Sequence, residues 1–246
     1  MGNLIYHNEK TLATIMLVAG IIFWIALIAG TFGIALIIVA LGFIGYLFTQ
    51  SAFISNIKGN GIEILPTQYP DLHKDLEDCC EKLGMKGKPR AYLLNGNGNL
   101  NAFAATFLRK DYIVLMSNLV DAMAAHEDGT KFYIGHELGH LRRKHIISNI
   151  LRWPALWLPL IGAAYSRAKE STCDLHGLAC CQTSENAARA LAALAAGSGR
   201  WKEIDFPIYL QQTRETSDFW MSLHELIGGY PWLVKRASRV NQASNI

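Results

Sequence analysis

From Thr11 to Gln50 the chain carries no charged residue. A helix rises about 1.5 Å per residue, so crossing a hydrocarbon layer of about 30 Å takes roughly 20 residues. The run is therefore long enough for two crossings, with Gly30-Thr31 and Gly33 marking the turn between them. Small residues along it (Gly20, Ala26, Ala35, Ala40, Gly42, Gly45) let two helices approach closely in lipid. The whole chain, 51% hydrophobic with a mean hydropathy of +0.17, is too apolar for an ordinary soluble protein. A cleaved signal peptide does not fit, because the run is too long and no small-residue cleavage site with a polar flank follows it. Two crossings return the chain to its starting side. The linking turn is uncharged while Lys10 and the later chain hold the basic residues, which predicts a cytoplasmic remainder. The five cysteines (Cys79, Cys80, Cys173, Cys180, Cys181) agree, since an odd count with adjacent pairs is no disulfide framework. A net charge of +3, small and scattered, excludes nucleic acid as a partner.

Beyond this anchor the decisive stretch is His136-Glu137-Leu138-Gly139-His140. On a helix, residues i and i+4 share a face, so His136 and His140 can present two imidazole nitrogens to one ion. Glu137 falls beside that ion rather than on it, placed to take a proton from water. Neutral imidazole suits zinc. Tyr133, Ile134, Leu138 and Leu141 give the apolar spacing of a helix through the motif, with Thr130 as its expected N-cap. Gly139 leaves room for close packing between the ligands.

Two histidines do not hold zinc alone; a catalytic site takes three protein ligands and keeps one position open. Glu170 is the best third ligand, with Asp174 on the same helical face. One carboxylate can bind zinc while the other accepts the free N–H of a ligand histidine and fixes its tautomer. His145 and His176 compete, since imidazole would also serve. His145 is discounted because five residues past His140 it should point off the ligand face.

Helix-borne HELGH, a downstream Glu-x-x-x-Asp, and Asn101-Ala102-Phe103-Ala104 before the motif resemble the HtpX-like membrane metallopeptidases. The wider family also includes the CAAX prenyl proteases. Tyr69-Pro70-Asp71-Leu72 opening a helix, a strand around Ala91 to Leu94, and the late run Tyr230-Pro231-Trp232-Leu233-Val234-Lys235-Arg236 extend the likeness from about residue 50 to about 240. The resemblance implies a gluzincin endopeptidase with Glu137 as general base and residues 101–104 bordering the substrate cleft. It also implies an integral protein of a bacterial inner membrane. Where the family often has histidine before the late proline, this chain has Tyr230. A tyrosine hydroxyl can also donate to an oxyanion, and His224 is the other candidate. Cys173 replaces the alanine usual before the helical aspartate.

Several elements can be placed. Phe53–Ile57 and Ile62–Leu65 flank Lys58-Gly59-Asn60-Gly61, which predicts a β-hairpin. A helix through Leu72, Leu76, Cys79 and Leu83 ends at Gly84, and strands near 91–94, 100–104 and 112–116 form a small sheet. Asn95 to Asn99 reads as a mobile turn. Ser117 or Asn118 caps a short helix before the motif, Ser184 caps an alanine-rich helix to Gly197, and two more helical segments follow Phe206. Ile146 to Tyr165 is apolar enough to suggest a third crossing, yet is predicted not to cross. His140 and Glu170 must meet on one ion, and the 29 residues between them are too few for two crossings. Arg152, Pro154 and Pro159 interrupt the run, while Trp153 and Trp157 suit a segment lying on the cytoplasmic leaflet.

The predicted architecture is α+β, mainly helical: a two-helix transmembrane hairpin (1–50) followed by a zincin-like (gluzincin) metallopeptidase domain with a small sheet (51–246). The predicted activity is zinc-dependent endopeptidase cleavage of membrane-proximal or misfolded polypeptides. His136, His140 and Glu170 are the metal ligands, Glu137 and Tyr230 the catalytic residues, Asp174 the support for a ligand histidine, and Asn101, Ala102, Phe103 and Ala104 the substrate-binding strand. The alternative is a non-catalytic, metal-binding membrane scaffold or regulator of proteolysis, against which an intact Glu137 speaks. A prenyl-protein protease fits less well, because two crossings cannot enclose a large membrane chamber.

Overall fold

The computed structural model describes residues 4–98, 100–146 and 149–243. Two long apolar helices come first, α1 (Glu9–Gly30) and α2 (Ile34–Asn60), joined at Thr31–Gly33. Gly33 makes that turn with a left-handed φ of 84°. Most side chains of both helices are exposed, Ile22, Ile25, Ile37, Ile38 and Phe48 among them. A helix apolar all round has no solvent-facing side.

The expected hairpin at 53–65 does not form. Helix α2 runs through it to Asn60, and Gly61 closes the helix as an extended C-cap whose N–H bonds Ile57 O at 2.9 Å. The reason is tertiary. Ile54 and Ile57, three apart on one helical face, are buried against Tyr92, Ala105, Tyr112 and Val114 of the sheet, and Phe53 meets Phe103 with ring centroids 5.6 Å apart. Extending an existing helix also needs no new nucleus. Of the second predicted strand only β1 (Ile62–Glu63) remains, and it pairs with β2 instead.

After α3 (Pro70–Lys82), strands β2 (Arg90–Leu94), β3 (Ala102–Phe107) and β4 (Lys110–Met116) complete a mixed sheet in the order β1-β2-β4-β3. Strand β3 pairs antiparallel with β4 and forms one edge of the sheet. The turn before it falls partly outside the described residues, at Asn99. As far as Gly98 it is pinned, with Asn118 Oδ1 accepting from Gly98 N–H at 3.0 Å.

Helices α4 (Ser117–Met123), α5 (Gly129–Arg142), α6 (Asn149–Leu156), α7 (Ile161–Cys180), α8 (Ser184–Arg200), α9 (Phe206–Gln211), α10 (Phe219–Ile227) and α11 (Leu233–Gln242) follow. The N-cap of α5 is Asp128, not Thr130, and that of α8 is Thr183, which accepts from Asn186 N–H at 3.1 Å. The core centres on α5, where Phe132, Ile134 and Leu138 are fully enclosed. Against it lies α7, at a separation only glycine allows. A Cβ on Gly135 would stand 2.9 Å from His176 O, and one on Gly139 would stand 3.1 Å from Cys173 Cα. From the other helix, a Cβ on Gly177 would come within 2.8 Å of Phe132 O.

The apolar stretch 146–165, apart from residues 147 and 148 outside the described residues, folds as a short helical hairpin along α1. Arg152 Nε donates to Ala13 O at 3.1 Å, Trp153 stacks on Trp24 with centroids 6.3 Å apart, and Ala155 and Tyr165 enclose Met16. A Cβ on Gly20 would overlap Leu151 O, at 2.3 Å. At eight residues, α6 is about 12 Å long and too short to span a bilayer.

Gly135→Ala should therefore destabilise the domain by about 1–3 kcal/mol despite alanine's better helix propensity, because backbone rather than a flexible tip must move. Thermal unfolding in detergent measures this, and an unchanged midpoint would contradict the packing described.

Candidate metal and catalytic site

Helix α5 carries His136 and His140 one turn apart, their ring centroids separated by 5.2 Å. The glycine-mediated approach of α7 sets Glu170 against both. Its Oε2 lies 3.5 Å from His136 Nε2 and its Oε1 lies 3.6 Å from His140 Nε2. Donors bound at about 2.0–2.2 Å around a tetrahedral ion stand roughly 3.3–3.6 Å from one another. The two Glu170 contacts fall in that range.

A turn further along α7, Asp174 Oδ1 accepts from His136 Nδ1 at 3.1 Å. Arg236 from α11 grips the same carboxylate in two places, Nη2 to Oδ1 at 2.7 Å and Nε to Oδ2 at 2.9 Å. Its Nη2 also stands 3.8 Å from Glu170 Oε2. All of these groups are buried. Burial opposes charge on Asp174, but Arg236 and His136 outweigh it and hold the carboxyl well below its usual range.

Glu137 lies in the same cleft, and the backbone N–H of Ala104 on β3 donates to its carboxylate. Burial pushes its pKa up to about 7, partly countered by cationic His136 and added to by Glu170. Burial likewise disfavours charge on His136, yet Asp174 and Glu170 prevail and raise it to about 10. His140, buried beside that positive ring, falls to about 3. Two histidines on one face are thus held in opposite protonation states.

The cleft has a volume of about 340 Å³ and is bordered by Asn101, Ala102, Phe103 and Ala104 on one side. Tyr230 also lines it and is 70% exposed. His224 is exposed on α10 and does not line the cleft. His176 is buried on α7 with Nδ1 bonded to Thr172 O at 2.8 Å, away from the cleft.

His145 corrects the helical-wheel expectation. Helix α5 stops at Arg142, and Lys144 turns left-handed with a φ of 54°. Lys144 N–H then bonds Leu141 O and His145 N–H bonds His140 O, both at 3.0 Å, the double closure of a Schellman motif. The reversal folds His145 back beneath the ligands, its Nδ1 3.2 Å from His140 Nδ1. Glycine usually fills that left-handed position, so Lys144 hid the signal.

Cys173 Sγ, with His136 and His140, forms the group of donor atoms among the described residues that is compact enough for a metal, all within 4.8 Å of one another. The thiol does not line the cleft, and burial among carboxylates pushes its pKa far above the ordinary range. Glu170 instead faces both Nε2 atoms from within the cleft.

Residues 66–161 match the family model of peptidase family M48. That stretch is about two fifths of the chain and includes the HELGH segment, but ends before Glu170, Asp174 and Arg236. No curated protein and no solved structure matches the chain. The match supports an M48 metallopeptidase, a metal-dependent protease acting on polypeptides.

Asp174 and Glu170 favour a proton on His136, so an ion taken at its Nε2 competes with that proton at neutral pH. Zinc titrations by calorimetry in buffers of different ionisation enthalpy should show release of at least one proton per ion near pH 8, from His136 and from water on the ion. Heats independent of buffer would contradict the electrostatics described.

Proposed function

We propose that this chain is a membrane-anchored zinc endopeptidase. The observation that carries the reading is the Glu170 carboxylate set between the two Nε2 atoms of His136 and His140, with Glu137 beside them in the same cleft. His136, His140 and Glu170 would hold the ion. When bound, zinc supplies a Lewis acid that activates water at neutral pH and polarises a carbonyl.

The protein's own residues do the rest. Glu137, with a pKa near the working pH, accepts the proton of the attacking water and delivers it to the departing amide nitrogen. The Ala104 N–H holds that carboxylate in place. Tyr230 donates its hydroxyl to the carbonyl oxygen as negative charge develops there. Asp174, clamped by Arg236, fixes His136 with hydrogen on Nδ1 and its lone pair on Nε2. Strand β3 takes an extended stretch of polypeptide along its free edge through main-chain hydrogen bonds, so side chains are read loosely.

Purified wild type should contain one zinc and cleave casein. Glu137→Gln should lose cleavage and keep its zinc; Glu170→Ala should lose zinc, and Cys173→Ala should retain it. Equal turnover by Glu137→Gln would make the chain a metal-binding scaffold rather than a protease. Zinc lost from Cys173→Ala but kept by Glu170→Ala would move the third ligand to the thiol.

In the same reading α1 and α2 cross the bilayer and the catalytic part faces the cytoplasm. The α6 hairpin then enters lipid beside α1 rather than lying on its surface. Trp153 meets Trp24 fifteen residues after Glu9, about 22 Å along the helix axis. A fluorophore on Trp157→Cys should be quenched best by bromines deep in the acyl chains. Quenching strongest at the headgroups would return the hairpin to the surface.

A further inference from the structure

The two histidines on α5 are backed differently. His136 Nδ1 meets a carboxylate directly, whereas His140 Nδ1 meets another imidazole, His145 Nδ1, at 3.2 Å. The far nitrogen of that second ring, His145 Nε2, lies 3.2 Å from Oε1 of Glu9, the first residue of α1. The hydrogens in this chain of contacts follow from chemistry. A carboxylate only accepts, so His145 Nε2 carries a hydrogen and, in the neutral ring, His145 Nδ1 carries none. The bare His145 Nδ1 faces two groups able to donate, His140 Nδ1 at 3.2 Å and the weaker Cys173 thiol at 3.7 Å, and the hydrogen between the two Nδ1 atoms is assigned to His140. That leaves His140 Nε2 bare, its lone pair on the side of Glu170, the tautomer a metal ligand requires.

We infer that Glu9 is a positioning residue for His140, acting through His145, so that the anchor helix supplies part of the metal-binding machinery. The inference rests on the reading of His140 as a ligand. Glu9 is 1% exposed and His145 3%. An acidic residue stabilises a helix N-terminus perfectly well from the surface, so the dipole of α1 does not call for this burial. Arg143 fixes the carboxylate by donating to the same Oε1 through Nη2 at 2.9 Å and Nε at 3.2 Å. The residues before α1 are docked as well: Tyr6 N–H bonds Thr172 Oγ1 on α7 at 3.0 Å, and Arg239 lies over the Tyr6 ring. The first turn of α1 is thereby held to the same helix that carries Glu170.

The test is chelator competition for zinc on the full chain in detergent, with unfolding midpoints recorded alongside. Glu9→Ala and His145→Ala should each weaken zinc about 10- to 100-fold, the range seen when a ligand histidine loses its partner. The double variant should be no weaker than the worse single one, because both break one chain of bonds. Glu9→Gln keeps an acceptor oxygen in place and should bind within about threefold of wild type, which also separates a lost hydrogen bond from a lost fold. Unchanged affinity in Glu9→Ala, or effects that add in the double variant, would overturn the inference while leaving the site reading intact. A wild type that binds no zinc would overturn both.

Discussion

The close approach of α5 and α7 is the constraint on which the rest depends. Gly135, Gly139 and Gly177 remove the side chains that would hold the two helices apart. Without that approach Glu170 could not stand 3.5–3.6 Å from both histidines, nor Asp174 reach His136. Packing and chemistry are the same requirement here: His136, Glu137, His140, Glu170 and Asp174 all sit on the two helices whose separation is set by absent Cβ atoms.

That tight contact buries charge, and buried charge must be answered locally. Asp174 is answered by Arg236 and His136, Glu9 by Arg143 and His145. Both arrangements draw on distant chain, one on the last helix and one on the first. The site is held by its two ends as much as by the motif at its middle.

The parts of the fold that follow from local pattern were legible in the sequence: the two apolar helices, the helix through HELGH, the three strands ahead of it, and the role of Gly139 in close packing. What failed did so for lack of tertiary information. Phe53–Ile57 carries strand-like residues and a turn signal, but the sheet takes Ile54 and Ile57 from a helix. His145 was misplaced because the wheel assumed that α5 continues past Arg142. Arg236 stood in the quoted late run without a role, since nothing in its neighbourhood shows that it meets a carboxylate 62 residues earlier. Glu9 is an unremarked acidic residue until the fold puts it beside His145.

The pairing of Glu9 with His145 spans 136 positions, which has a consequence in time. A ribosome adding about 5–20 residues per second makes Glu9 about 7–27 s before its partner exists. In that interval neither His145 nor Arg143 exists to answer the carboxylate, so water alone can solvate it. The carboxylate thus passes from a solvated state to one closed over by residues made long after it.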